Sequence, residues 1–499
     1  MDQQTRGRQL SRFYEPLVLL HTLGSTRGEH TCAELSTREN VSQLPLKDLR
    51  RMFLSELAYT CDYDKGGDTV TAIGLNSTPQ NYVFWVASNS CPRRKIVPFL
   101  ESLLTNLRDI SITATLVTLE GVNDIAAQCI RFATPRIKKY RSHLSPLLRK
   151  CHAYLAQTER EDGKFSCPVP LCSDSMRKLA RLSIEPNYKS NEDAIHNTFG
   201  LVRHYIGRLG HHFRAAKALL SCASRLPELL HDFEVRSIPT PPKSASPPAD
   251  GKTRLESIMV RMLPANSPDL NRYQQALAEM DDKYQLSRRF LDNYTDFSTR
   301  VHAEIQVLEQ FHVGKLSFAA GDRYIACSKP ACFCCLLYFR HHPGHFVEPA
   351  SHRKIYLNWR PPDLDAECDI ISQNRQRDVL NSMTCDIRKE ALQQIEEKIP
   401  PQAWHPDSLT GVTEEAKTPL PTVGGSVVFD AFPVEIEEPT TITDFGSTLP
   451  LFDGADMVNF SIESSDSDHC DKQARLLKNS QPDPYDFEDD SDEEGGVLL

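Results

Sequence analysis

The sequence predicts an α/β fold, and three observations carry that reading. Residues 298–362 alternate helix, strand, helix, strand, and residues 68–89 read as two strands around a turn. A long, mostly helical stretch separates the two. The 499 residues, 40% of them hydrophobic, suffice for the cores of two or three domains.

Taken in order, residues 1–67 form an N-terminal helical region, and Met1-Asp2-Gln3-Gln4 lacks the charged-then-apolar pattern of a secretion signal. In 68–89, Thr69–Gly74 alternates loosely, Asn76-Ser77-Thr78-Pro79 punctuates, and Tyr82–Ala87 is a second, more buried strand. Residues 90–297 read as mostly helical. Phe99, Leu100, Leu103, Leu104 and Leu107 share one face, as do Phe199, Val202, Tyr205, Ile206 and Leu209. The proline-rich stretch 237–252 is a linker or exposed loop, and a further helix is expected over Asn271–Asn293.

Residues 298–400 follow a tighter grammar. Ser298 or Thr299 can cap a helix that carries His302, Glu304, Ile305, Leu308 and Phe311 and stops at Gly314. Arg323–Cys327 is a short strand, broken by Ser328-Lys329-Pro330. A second helix opens near Cys332 and ends at Pro343-Gly344, and Lys354–Trp359 reads as another strand before Pro361-Pro362. That order predicts a parallel sheet with both helices packed on it. The two helix starts then face each other, with His302 near Cys332 and Cys335.

Charge divides the chain. Residues 401–499 hold 22 acidic and 4 basic side chains, a balance of −18; residues 1–400 hold 45 and 53, a balance of +8. The end is expected to be a disordered acidic tail, or a competitor for a basic groove. No apolar run reaches the roughly 20 residues of a membrane span. Fifteen cysteines without regular spacing fit a reducing, intracellular setting, cytoplasmic or nuclear.

The chemistry concentrates in Val301-His302-Ala303-Glu304 and Cys332-Phe333-Cys334-Cys335, with 29 residues between His302 and Cys332. An H-x-E triplet alone is weak; its order and spacing before C-x-x-C are specific. The pair resembles the cytidine deaminase-like superfamily, whose signature is H-x-E on one helix start and P-C-x-x-C on the next, after a strand. The run Tyr324–Lys329 leading into the cysteines is most similar to a fungal branch related to bacterial toxin deaminases. In one departure, Pro330 lies two residues before Cys332 rather than one.

The resemblance implies that His302, Cys332 and Cys335 hold zinc, and that Glu304 shuttles protons for a hydrolytic deamination. Cys327 and Cys334 are alternative thiols, but the three-residue spacing puts Cys332 and Cys335 on one helix face. It also implies a three-layer deaminase domain, split between hairpin 68–89 and core 298–400 by the helical insertion. Asn89, just after the hairpin, becomes a candidate substrate contact or merely a turn-closing residue. The implied substrate carries a cytosine- or adenine-type base, free, nucleosidic or within single-stranded nucleic acid. The contrasting class is an inactive deaminase fold that binds nucleic acid or protein.

Other readings rank lower. His341, His342 and His345 after the cysteines do not match the gaps of a zinc finger, and no H-E-x-x-H occurs. Cys167 and Cys172 lack a second pair. The basic runs Arg136–Arg141 and Arg203–Arg214 are candidate phosphate contacts or ordinary solvated helix faces.

Overall fold

The computed structural model describes residues 3–25, 27, 31, 43–113, 117–162, 191–251, 253–264, 266–294, 297–364 and 370–400. The acidic tail and the Cys167–Cys172 loop lie outside the described residues. None of the helices described is long and apolar enough to cross a membrane.

The hairpin forms as its sequence suggests: β1 (Thr71–Ser77) pairs antiparallel with β2 (Tyr82–Ser88). β3 (Phe233–Ser237) lies parallel to β2, outside it. Two-residue strands β4 (Ser244–Ala245) and β5 (Ser298–Thr299) pair apart from this sheet. β6 (Ile325–Cys327) joins the free side of β1, antiparallel, which gives the order β3-β2-β1-β6. The hairpin and the motif strand therefore share one sheet. That sheet is mixed rather than parallel, because β1 runs against both of its neighbours.

Side-chain alternation sorts the sheet faces. Ile73, Leu75, Phe84, Val86 and Ala326 point into one core with helices Leu46–Cys61, Ile96–Thr113, Leu119–Phe132 and Asn191–Ala223. Ala72, Ala87 and Ile325 point into the other, with helices Gln3–Leu23, Ala303–Val313 and Phe333–His341 and the C-terminal helix Ile370–Glu396. Helix, sheet and helix thus form three layers. Small residues line the second face, so the His302 helix comes close. A Cβ on Gly74 would meet Phe311 at 2.5 Å and Val307 at 2.7 Å.

Several expectations need correction. Lys354–Trp359 is not a sheet strand. Its Ile355 N–H donates to Ser25, Trp359 folds back on Tyr356, and the Asn358 carbonyl accepts from Arg300. Asn271–Asn293 is two helices, Leu270–Tyr284 and Leu286–Asp292, parted by Gln285 in the left-handed conformation at φ 54°. Ile206 leaves the buried face of its helix and is 39% exposed. The insertion is mostly helical, yet it supplies β3. The proline-rich stretch is largely exposed but anchored, with Ile238 and Ser246 buried, the Ile238 amide on the Val86 carbonyl, and Ser244–Ala245 in β4.

Candidate active site

The first site helix starts three residues later than a Thr299 cap, and four later than a Ser298 cap, would set it. Its N-cap is His302, in extended backbone, and the His302 carbonyl accepts from Ile305 and Gln306. Ser298 and Thr299 lie in β5 instead. The Ala303 amide, left orphaned at the helix start, donates to Asn89 Oδ1 at 2.8 Å. The second helix is capped by Cys332, whose Sγ accepts the Cys335 amide at 3.5 Å. Both helix N-termini, the positive ends of their dipoles, meet at the thiols and favour thiolate charge there.

The two starts bring three side chains together. His302 Nδ1 lies 3.5 Å from Cys332 Sγ and 3.4 Å from Cys335 Sγ. Among the described residues these form a buried group whose ligand atoms all fall within 4.8 Å of one another. Zinc bonds of about 2.0 Å to nitrogen and 2.3 Å to sulfur span tetrahedral N···S edges of roughly 3.6 Å, so the set fits zinc. One imidazole and two thiols also leave a fourth position, as catalytic zinc sites do. Burial pushes the Cys332 thiol up, but the Cys335 hydrogen bond and the His302 imidazole outweigh it and hold it below the ordinary thiol range. His302 is raised in return: burial lowers it, and the Cys332 charge more than compensates.

The other thiols take different places. Cys334 is fully buried in the core against the N-terminal helix, and that burial drives its thiol up. Cys327 ends β6 with its Sγ 3.9 Å from Glu304 Oε2. Glu304 is 4% exposed and lies in the first turn of the His302 helix, beside the group without belonging to it. His341 and His342 are engaged with Asp386 and Glu309, away from the cysteines.

Asn89 lies beside the group but faces protein on both sides. Its Oδ1 holds Ala303, and its Nδ2 donates to the Gly67 carbonyl at 2.7 Å. Loop 62–69 is tied to the site edge at other points too. Lys329 Nζ donates to Gly66 at 3.1 Å, and Arg300 pairs with Asp68. Sequence reading missed this loop, although Gly66-Gly67 beside charged residues marks a turn near a strand end. The supposed basic surface runs are partly internal: Arg136 and His212 have no exposed area, and Arg208 is 5% exposed.

An antiparallel β-hairpin under a helix layer, with an H-A-E start facing a C-x-x-C start, is similar to the arrangement of cytidine deaminase-like proteins. The motif segment matches that class directly: the family model OTT_1508_deam, an OTT_1508-like deaminase, covers residues 301–363. No curated protein and no solved structure matches the chain.

Proposed function

We propose that this chain is a zinc-dependent hydrolytic deaminase of a cytosine- or adenine-type base, with hairpin 68–89 and residues 298–400 forming one domain around the insertion. The observation that carries the reading is a buried glutamate, Glu304, beside a His302–Cys332–Cys335 group with zinc-like spacing. His302 Nδ1 and the Cys332 and Cys335 sulfurs would hold the ion, which when bound makes water acidic enough to yield its proton near neutral pH.

Glu304 takes that proton on a carboxylate oxygen and delivers it to the ring nitrogen beside the amine. The water oxygen bonds to the amine-bearing carbon, and the C–N bond then breaks. Glu304 passes a second proton to the departing nitrogen, so base and water become an oxo-base and ammonia. Low solvent exposure at Glu304 keeps these protons from bulk water. The Cys327 thiol lies against the Oε2 side and limits where the carboxylate can swing.

The experiment is ammonia release by the purified chain from cytidine, adenosine, single-stranded DNA and single-stranded RNA, with zinc content measured on the same preparation. Turnover of one substrate that vanishes in Glu304→Gln supports the reading. Bound zinc with no turnover on any of the four favours the inactive interaction module instead.

A further inference from the structure

A buried ion pair joins the insertion to the edge of the site. Arg136 lies on the insertion helix Thr134–Asp162, and Asp62 follows helix Leu46–Cys61. Both side chains are wholly shielded from solvent, with Arg136 Nη1 3.3 Å from Asp62 Oδ2. Nη1 also donates to the Asp62 carbonyl at 2.8 Å, and Nε donates to the Tyr140 hydroxyl at 2.9 Å. The Tyr59 and Tyr140 rings flank the guanidinium, their centroids 5.2 and 5.6 Å from its carbon.

The remaining acceptor capacity of Asp62 is turned toward the site. Its Oδ1 accepts the Thr69 hydroxyl at 2.5 Å, and its Oδ2 accepts the Ser328 hydroxyl at 3.3 Å. Ser328 Oγ accepts the Thr71 amide at 3.1 Å, and the Ser328 amide donates to Thr71 at 2.9 Å. Ser328 directly follows Cys327, which faces Glu304, and stands four residues before Cys332. A buried carboxylate can hold several donors in fixed directions, and a cation against it offsets much of the cost of burying its charge. Arg136 is that cation.

We propose that Arg136 and Asp62 are positioning residues: through Ser328 they fix the end of β6, and with it Cys327 and the turn into Cys332. The role in catalysis rests on the deaminase reading; the positioning itself does not. It gives the insertion a part in the site rather than that of a spacer between two halves of a domain.

The test uses the full chain loaded with zinc, and reads two quantities. One is amide hydrogen exchange over residues 325–331; the other is the rate of zinc release to a chromophoric chelator. Arg136→Met is expected to quicken exchange over 325–331 at least tenfold and zinc release several-fold, with Arg136→Lys recovering part of both. Ser328→Ala is expected to reproduce both effects while helix Thr134–Asp162 exchanges as in wild type. That variant keeps Arg136 and Asp62 and removes the hydroxyl that joins Asp62 to the Thr71 amide. Asp62→Asn, which keeps that hydroxyl, should loosen 325–331 in the same direction, so the link is tested even where Arg136→Met does not fold. Wild-type exchange and zinc release in Ser328→Ala, or loosening confined to the insertion helices in Arg136→Met, overturns the proposal. Wild-type protein without zinc overturns the functional reading instead, and the exchange arm still judges the positioning.

Discussion

The Asn89 side chain accepts the Ala303 amide across 214 positions of sequence, at 2.8 Å. It thereby caps, from the end of the hairpin, the helix whose first residues are Ala303 and Glu304. A capping side chain of this kind contributes about 0.5–2 kcal/mol, which is tied here to the start of the His302 helix. Asn89→Ala should lower the unfolding free energy by about 1 kcal/mol in denaturant titration. It should also quicken zinc release. A variant with wild-type stability and zinc retention but raised KM would return Asn89 to the role of substrate contact alone.

Glu304→Gln is close in shape and spares the three metal-binding side chains. Zinc content and unfolding midpoint should match wild type, while turnover falls by at least roughly 10²–10⁴. Activity within tenfold of wild type would falsify the proton-shuttle assignment even with the fold intact.

The cysteines should separate by metal retention. Cys332→Ser with Cys335→Ser should remove tightly bound zinc, measured by elemental analysis after dialysis. Cys334→Ala should keep zinc and lose only core packing, because its thiol is buried against the N-terminal helix. Loss of metal in Cys334→Ala and retention in the double variant would exchange their roles.

Gly74 sets the distance between the sheet and the His302 helix. Gly74→Ala places a methyl within 2.5–2.7 Å of Phe311 and Val307, both buried on that helix. Overpacking of this kind costs about 1–3 kcal/mol. Thermal unfolding should register it, and a Phe311→Leu second change should recover part of the loss. Additive effects of the two changes would argue against direct contact.

His212 should give the fold an acid limit. Burial, then the Arg136 and His211 charges, lower its pKa from the ordinary 6.5 to about 3, and neither ring nitrogen has a hydrogen-bond partner among the described residues. Above pH 6.5 neither state binds this proton, and the contribution is at its full value. As pH falls from 6.5 toward 3 the unfolded chain binds the proton and the native chain does not. Stability therefore declines across that window, by at most about 1.4 kcal/mol per pH unit for one group. Urea titrations at pH 7 and pH 5 measure the slope, and His212→Leu should flatten it.

The site was legible because its chemistry is local in sequence. H-A-E and C-x-x-C sit on helix starts that composition and turn residues mark, and the 68–89 hairpin has its own punctuation. What local pattern could not give was pairing over distance. β1 lies between β2 and β6, so it must run against both, and no periodicity within 298–362 encodes that. Lys354–Trp359 has the residues of a strand, but its amides are taken by Ser25 and a turn. Arg136–Arg141 reads as a solvated basic face, yet Arg136 and Tyr140 turn inward because Asp62 waits there from another segment. Asn89 stood out by position, and only the folded chain reveals that its partner is a helix amide.

The central place of β1 also bears on how the chain is made. β2 pairs with it at once, but its other edge stays open until β6 emerges from the ribosome about 250 residues later. At roughly 5–20 residues per second that wait lasts on the order of 12–50 s. An unpaired strand edge is a template for pairing with a neighbouring chain. Slow or interrupted synthesis between the hairpin and the motif segment should therefore favour aggregation of nascent chains, before any metal can bind.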